Sequence, residues 1–199
     1  MSRELATDPV ALGSAVVNAA ASTAGAWAGG PAAVEGFLRW VVADLNRLPS
    51  LVVEHAEFRH YGSGYASYVD VFITKRDGSM RRSTDGATEV EGLTLALCRL
   101  APLAALFKHS WRSSGPGPAG GHSMPELSRV VDDDPPGWEQ ECRQIRRTLD
   151  EHGIALLDSR ILGLPLNVRL QVETALGEPP YRVFDAWFHW TDQPHHFPA

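Results

Sequence analysis

The segment of residues 181 to 190 constrains the fold more than any other part of the sequence. Read as a β-strand, it points successive side chains to opposite faces. Both faces are then aromatic or apolar, with Tyr181, Val183 and Trp187 on one and Phe184, Phe188 and Trp190 on the other. An outer strand of a sheet normally has one hydrated face. We therefore predict a central strand, or one whose second face meets a partner, that completes the sheet of an α+β domain.

The length and composition fit a single globular domain. The chain has 199 residues, of which 44% are hydrophobic and 21% are charged, and a domain of this size buries most of its apolar surface. We expect residues 1 to 30 to form a weakly ordered or helical extension. Residues 113 to 136 should form a loop rich in Gly, Pro and Asp, and residues 193 to 199 a tail.

The cellular location is inferred from what the sequence lacks. No apolar stretch is long enough to span a bilayer,, and the first residues do not resemble a signal peptide. Cys98 and Cys142 are both placed on apolar helix faces, where free thiols behave as small hydrophobes,. We expect a cytoplasmic protein, and the abundance of Ala, Gly, Pro and Arg indicates a bacterial source.

Hydrophobic periodicity predicts three to four helices. Apolar residues at three- and four-residue steps predict a helix over residues 31 to 48,. Thr88 and Glu91 have the spacing of a capping box, which predicts a helix over residues 88 to 100, continued by a short piece over residues 103 to 107. Asp134 is placed as the N-cap of a later helix that ends before Gly153.

Alternating residues predict about five strands in a mostly antiparallel sheet. They are drawn from six candidate segments, residues 51 to 60, 65 to 75, 79 to 83, 154 to 157, 166 to 173 and 181 to 190,. Asp77-Gly78 predicts a hairpin, so residues 79 to 83 should run back beside the preceding strand as an exposed edge. Val69, Val71 and Ile73 should be buried against the first helix.

No motif points to a catalytic residue, a metal or a cofactor. His189, Asp192, His195 and His196 carry metal-ligating groups, but their spacing fits no standard site,. The glycines of residues 110 to 123 match neither a nucleophile elbow nor a phosphate-binding loop. A second group, Glu54, His55, Glu57 and His60, contains carboxylate–imidazole pairs suited to acid–base work, although a hydrated strand end gives the same pattern.

The charge distribution favours a basic protein partner. The net charge is −6, and residues 113 to 152 hold eight acidic residues against four arginines. Global acidity argues against nucleic-acid binding, whereas complementary charge speeds protein association. Tryptophan is enriched in interface hot spots. The predicted partner-binding residues are Asp132, Asp133, Trp138, Glu139, Glu141, Trp187 and Trp190.

Three functions remain open at this stage. The segments of residues 91 to 102 and 181 to 192 resemble small bacterial α+β proteins, some of which are immunity proteins that neutralise a cognate toxin. This resemblance and the lack of a catalytic motif favour a non-catalytic binding protein. The alternatives are a small enzyme or small-molecule-binding protein with a pocket between sheet and helices, using His55, Glu57, Asp70 and His122, and a structural homo-oligomer, such as a homodimer, built by the strand of residues 181 to 190.

Overall fold

The fold was obtained as a computed structural model that describes residues 25–58, 65–84, 87–114, 125–166 and 180–191. Within these residues a mostly antiparallel sheet packs against helices, so the predicted α+β architecture is confirmed. Several predictions concern residues that lie outside the described ones. They are most of the amino-terminal extension, the strand after Leu166, the tail, and the side chains of His60, His122, Asp192, His195 and His196.

Helix α1 spans Pro31–Arg47, close to its predicted bounds. Proline has a fixed φ that suits the first helical turn, and Pro49 follows the helix end. The buried residues recur at three- and four-residue steps and are Val34, Leu38, Val41 and Leu45,.

Six strands form the main sheet, and two short strands form a separate pair. The main sheet has the order β1-β3-β5-β6-β7, with β4 also paired to β5. The bounds are Leu51–Glu57 for β1, Tyr68–Lys75 for β3, Arg81–Thr84 for β4, Ala87–Cys98 for β5, Leu103–Ser114 for β6 and Ala155–Leu156 for β7. The separate pair is β2, Tyr65–Ala66, with β8, Trp190–Thr191.

The sheet has two faces with different compositions. The apolar face carries Val69, Val71, Ile73, Leu93, Leu95 and Leu97, which form one core with α1 and the helix of residues 139 to 151. This confirms the predicted burial of Val69, Val71 and Ile73. The polar face carries the alternate residues of the same strands, namely Tyr68, Asp70, Phe72, Thr74, Thr94, Ala96 and Cys98, which are also buried.

The predicted hairpin at Asp77-Gly78 is wrong, because β4 pairs with β5 and not with β3. Gly78 has a φ of 75°, as such a turn requires, but β4 does not fold back on β3. Both strands pair with the same edge of β5, Ile73 opposite Leu93 and Arg81 opposite Val90. After the turn the chain therefore continues in the direction of β3. The bond from Glu91 N–H to the Met80 carbonyl holds it beside β5.

The helix predicted over residues 88 to 107 is also wrong, because β5 and β6 occupy this region as a long antiparallel pair. The capping-box spacing is a local signal, whereas β5 is paired along both of its edges. Tertiary pairing overrides a weak local preference. Cys98 is consequently a strand residue, although its thiol is free and buried as expected.

Helix α2 spans Glu139–Glu151 and ends as predicted, with Gly153 at a φ of 68°,. Its N-cap is Trp138, not Asp134. Asp134 instead forms an ion pair with Arg146 on the helix. The short strand predicted after Gly153 is confirmed as β7, which runs parallel to β6.

The carboxyl-terminal segment is not the predicted central strand. Residues Val183–Trp187 form helix α4, after a short helix α3 at Ser159–Leu162. Val183 and Trp187 are both buried and lie four residues apart. This spacing places two side chains on one face of a helix and equally on one face of a strand, so it fits both structures. Asp185 accepts a hydrogen bond from Arg182 N–H and caps the helix. Among the described residues of this segment, Trp190–Thr191 form the short strand β8, and Arg182 makes an isolated antiparallel bridge to Pro165.

Candidate functional site

The predicted partner-binding residues divide between the surface and the core. Asp132, Asp133 and Glu139 are exposed, and Trp190 is half-buried. The other three side chains, Trp138, Glu141 and Trp187, are buried. Trp138 is only 6% exposed and packs in the core below the apolar face. The sequence therefore located surface acids but mistook two core tryptophans for exposed anchors.

Hydrogen bonds favour the charged form of two exposed acids in the segment of residues 129 to 139. Bonds from the Ser159 hydroxyl and from Ser159 N–H hold the pKa of Asp132 below its usual range. Bonds from its own N–H and from Gly137 N–H, with a smaller contribution from the Lys75 charge, lower the pKa of Glu139. Both shifts stabilise the carboxylate over the carboxylic acid.

The remaining acids of the segment are compensated. Asp134 pairs with Arg146, and Glu141 lies 3.7 Å from Lys75 Nζ. Lys75 also donates to the Gly137 carbonyl and lies over the Trp138 ring, 5.4 Å from its centroid. These contacts fix the segment before α2 against the sheet, so its exposed acids are presented from a rigid base.

A surface groove of about 520 Å³ lies between this segment and β6. One wall is formed by Lys108, His109 and Ser110 of β6 with residues 91 to 93 of β5. The opposite wall is formed by Arg129, Pro135, Pro136 and Trp138. We call this feature the edge groove, and paired residues of β5 and β6 form one side of it.

The outer edge of β6 is paired only along its first half. The Ala104 carbonyl accepts a bond from Leu157 N–H, and the Leu106 carbonyl accepts one from Val131 N–H. A single bridge, Phe107 opposite Val130, follows. Beyond this bridge, none of the residues that the structure describes pairs with the outer edge.

The polar face holds a second group of functional side chains, which we call the polar cluster: His55, Glu57, Asp70, Thr94, His109 and Trp111. The strand register sets Glu57 opposite Asp70 and His55 opposite Phe72. The rings of His55 and Trp111 lie 5.6 Å apart, and the His109 ring lies 5.6 Å from Phe72. Asp70 is only 1% exposed. Burial, and then the Asp70 carboxylate, raise the pKa of Tyr68 above its usual range.

The structure thus brings together His55, Glu57 and Asp70, which the sequence had named for an alternative enzyme. It adds Thr94, which the sequence analysis placed in a helix, and His109 and Trp111, which the sequence analysis did not place on a strand. Once β5 and β6 are recognised as strands, the odd-numbered residues of β6 fall on the polar face. That alternation is the signal that would have found His109 and Trp111.

Trp40 was also missed. Among the described residues it is the exposed large hydrophobic side chain, with 57% of its surface accessible. Its ring meets the His152 ring at 5.0 Å, and His152 Nε2 lies 3.0 Å from an Asp44 carboxylate oxygen. Helical spacing could have identified it, because Trp40 lies off the buried stripe of Leu38, Val41 and Leu45.

The described residues contain no cluster of three or more metal-ligating side chains. Burial raises the pKa of Cys98 to about 12 and that of Cys142 to about 11, so neither thiol is a reactive nucleophile at neutral pH,. No helix in the described part of the chain is long and apolar enough to cross a membrane.

Comparison with known proteins found no family model that matches the chain, no similar curated protein and no similar solved structure. The edge groove and the polar cluster are therefore interpreted from their own geometry and chemistry.

Proposed function

We propose that this chain is a non-catalytic protein-binding protein that docks a basic partner at the edge groove. The observation that carries the proposal is the position of the groove, one wall of which is the segment bearing Asp132, Asp133 and Glu139. A concave, partly apolar surface beside exposed acidic residues suits a specific protein contact. An immunity-type protein that neutralises a toxin by covering its surface would act in this way.

The electrostatics support a basic partner. Asp132, Asp133 and Glu139 are exposed, and neither Asp134 nor Glu141 adds to them, since each has a cationic partner. On the groove walls Lys108 is exposed, and Arg129 pairs with Glu126. The exposed acids therefore lie on the segment that forms one wall, next to the lining residues Pro135, Pro136 and Trp138, and the whole chain has a net charge of −6. Such a field accelerates encounter with a basic surface and weakens as salt is added.

The test changes the charge without disturbing the fold. Asp133→Asn with Glu139→Gln removes two rim charges and leaves Asp132, which holds Ser159, intact. A matched control, Asp150→Asn, removes an exposed acid near the far end of α2. A protein captured by the tagged wild-type chain is identified by mass spectrometry, purified, and used to measure association rates at low and high salt.

We expect the double variant to associate several-fold more slowly at low salt and to lose much of its salt dependence. The control should behave as the wild type. Equal association rates for all three chains at both salt concentrations would refute docking at this rim. The half-buried Trp190 and the exposed Trp40 would then be the next surfaces to examine.

A specific observation favours a second candidate, a small enzyme or small-molecule-binding protein that uses the polar cluster. The register places Glu57 directly opposite the buried Asp70, and the His55 ring lies beside the Trp111 ring on the same face. Two carboxyl groups and an imidazole on one face suit acid–base work or the binding of a small polar ligand. A panel of small polar ligands should therefore contain one that raises the thermal midpoint of the wild type but not that of Asp70→Asn. No ligand-dependent rise in the wild type would argue against this candidate.

A further inference from the structure

We infer that the edge groove binds a small carboxylic acid whose hydrocarbon part is aromatic or branched. The hydrocarbon part lies between the apolar residues of the two walls, and the carboxylate pairs with Lys108. This site needs no protein partner, so its ligand can be tested with the purified chain alone.

The apolar lining of the groove comes from both walls. Leu93 on one wall and Trp138 on the other belong to the same core, where they are 1% and 6% exposed. The buried Pro135 lies beside Trp138 in the lining. A volume of about 520 Å³ is in the range of small-molecule sites, which are mostly apolar with a few polar groups,. An aromatic or branched hydrocarbon group is the matching occupant.

The strand register sets polar groups next to this apolar lining. Ala104 and Leu106 of β6 lie in the core on the apolar face, and side chains alternate along a strand. Lys108 and Ser110 therefore follow on the same face, and Lys108 is directly opposite Leu93. An ammonium group and a hydroxyl group thus adjoin hydrocarbon within the lining of one groove.

The charges of the lining favour an anion. Its acid, Glu91, lies 3.3 Å from Arg82, and its arginine, Arg129, lies 3.5 Å from Glu126. Lys108 is exposed and has no ion pair within the part of the chain that the structure describes. The groove therefore holds a positive charge that a ligand carboxylate would complement.

The ligand should carry a single negative charge. One ammonium and one hydroxyl suit the two oxygens of a carboxylate, whereas phosphate sites use helix N-termini or arginine forks. The exposed acids Asp132, Asp133 and Glu139 lie outside the lining but on the same segment. They disfavour a ligand of higher negative charge.

The probes separate the carboxylate from the hydrocarbon. Phenylacetate and isocaproate represent the aromatic and the branched acid, and phenylacetamide and phenethylamine replace the carboxylate of the first with a neutral and a cationic group. Nuclear magnetic resonance titration follows the Ser110 amide and the Trp138 indole. We expect at least one acid to shift both resonances at millimolar concentration, and the amide and the amine to bind at least several-fold more weakly.

Three variants test the assigned residues. Lys108→Gln removes the ammonium group and should weaken binding of the acid several-fold. Ser110→Glu adds a carboxylate beside Lys108 and should abolish binding. Arg147→Gln is the matched control, because it removes a positive charge from an 82% exposed side chain of α2 outside the groove. All three side chains are exposed, and circular dichroism and thermal melting check that each variant folds.

Three outcomes would overturn the site: no binding of either acid by the wild type, equal binding of phenylacetate and phenylacetamide, or equal binding of the acid by Lys108→Gln and the wild type. A peptide ending in phenylalanine that binds through its free terminal carboxylate, while both acids fail to bind, would assign the groove to the chain end of a protein and would also reject the small acid. The proposed docking is tested separately by the association rate of Asp133→Asn with Glu139→Gln, so either proposal can fail alone.

Discussion

The two faces of the sheet are formed by the same strands but differ in the polarity of their buried side chains. On the apolar face, every central position of β3 and β5 is a Val, Ile or Leu, and helices α1 and α2 cover it. On the polar face the intervening positions include Tyr68, Asp70, Thr74 and Thr94, all buried. Burial on the first face is favourable for each residue, whereas burial on the second requires compensation for its polar groups.

This difference indicates how the two faces contribute to the protein. The apolar face supplies stability through packing that tolerates no charge. The polar face retains carboxylate, hydroxyl and imidazole groups where hydrocarbon would be more stable, and such groups are commonly kept for specificity or chemistry. Substitutions at neighbouring positions on opposite faces can test this contrast.

The largest effect is expected for Val71→Asp on the apolar face. Val71 is fully buried between β1 and β5, so the variant would place an unpaired carboxylate in the core. The free energy of unfolding should fall by several kcal/mol, on the order of 3–5 kcal/mol. Urea denaturation measures the loss, and Ser83→Asp on the exposed strand β4 is the control. A Val71→Asp midpoint equal to that of the control would contradict the assigned face.

An intermediate effect is expected for Gly92→Ala on the polar face. A methyl group at Gly92 would lie 2.5 Å from the Ile73 carbonyl oxygen and 2.6 Å from Phe72 Cε2. Relief requires the backbone to move, so we expect a loss of about 1–3 kcal/mol. Gly36→Ala is the control, because its added methyl meets no atom within 4 Å. That change should stabilise α1 by up to about 1 kcal/mol, and destabilisation by both would argue against the packing described here.

The smallest effect is expected for Thr94→Val, and its sign is opposite. Thr94 is 2% exposed, and within the described residues its hydroxyl has no hydrogen-bond partner. Valine keeps the shape and removes the unsatisfied group, so stability should rise by about 1 kcal/mol. Thr74→Val is the matched control, since Thr74 Oγ1 donates to the Glu91 carbonyl at 3.0 Å. The stability of that variant should fall by about 1 kcal/mol. Thermal midpoints that shift in the same direction for both variants would contradict this contrast.

The elements that could be predicted are those whose hydrophobic period and end signals lie within one short stretch of sequence. Helix α1 and strand β3 were predicted because their apolar periods are long and their ends carry prolines, glycines or turns. Strands β5 and β6 were missed because leucines and alanines at both odd and even positions give no clean period of two. Burial on both faces removes the alternation that identifies a strand.

The hairpin error has a similar physical origin. Asp-Gly occurs at Asp77-Gly78 and again at residues 85 and 86, and both are favourable turn sequences. The pairing of Thr84 with Ala87 shows that the chain reverses between β4 and β5, not between β3 and β4. A local sequence cannot state which of two turns reverses the chain, because that depends on the strand with which each segment pairs.

The candidate site was predicted only in part for related reasons. Charge can be read directly, so Asp132, Asp133 and Glu139 were correctly expected at the surface. Exposure of an aromatic residue depends on tertiary packing, and Trp138 and Trp187 proved to be core residues. The edge groove itself could not be predicted, since it is lined by residues distant in sequence, in β5, in β6 and before α2.

The short pair of β2 and β8 has a consequence for the order of folding. It joins Ala66 to Trp190, whereas β3, β4, β5 and β6 follow one another along the chain. Closing a longer loop costs more entropy, and contacts of large sequence separation slow folding. We therefore expect β3, β4, β5 and β6 to assemble first. The segment of residues 183 to 191 joins last, when Ser67 Oγ accepts a bond from His189 N–H and donates to the Trp187 carbonyl.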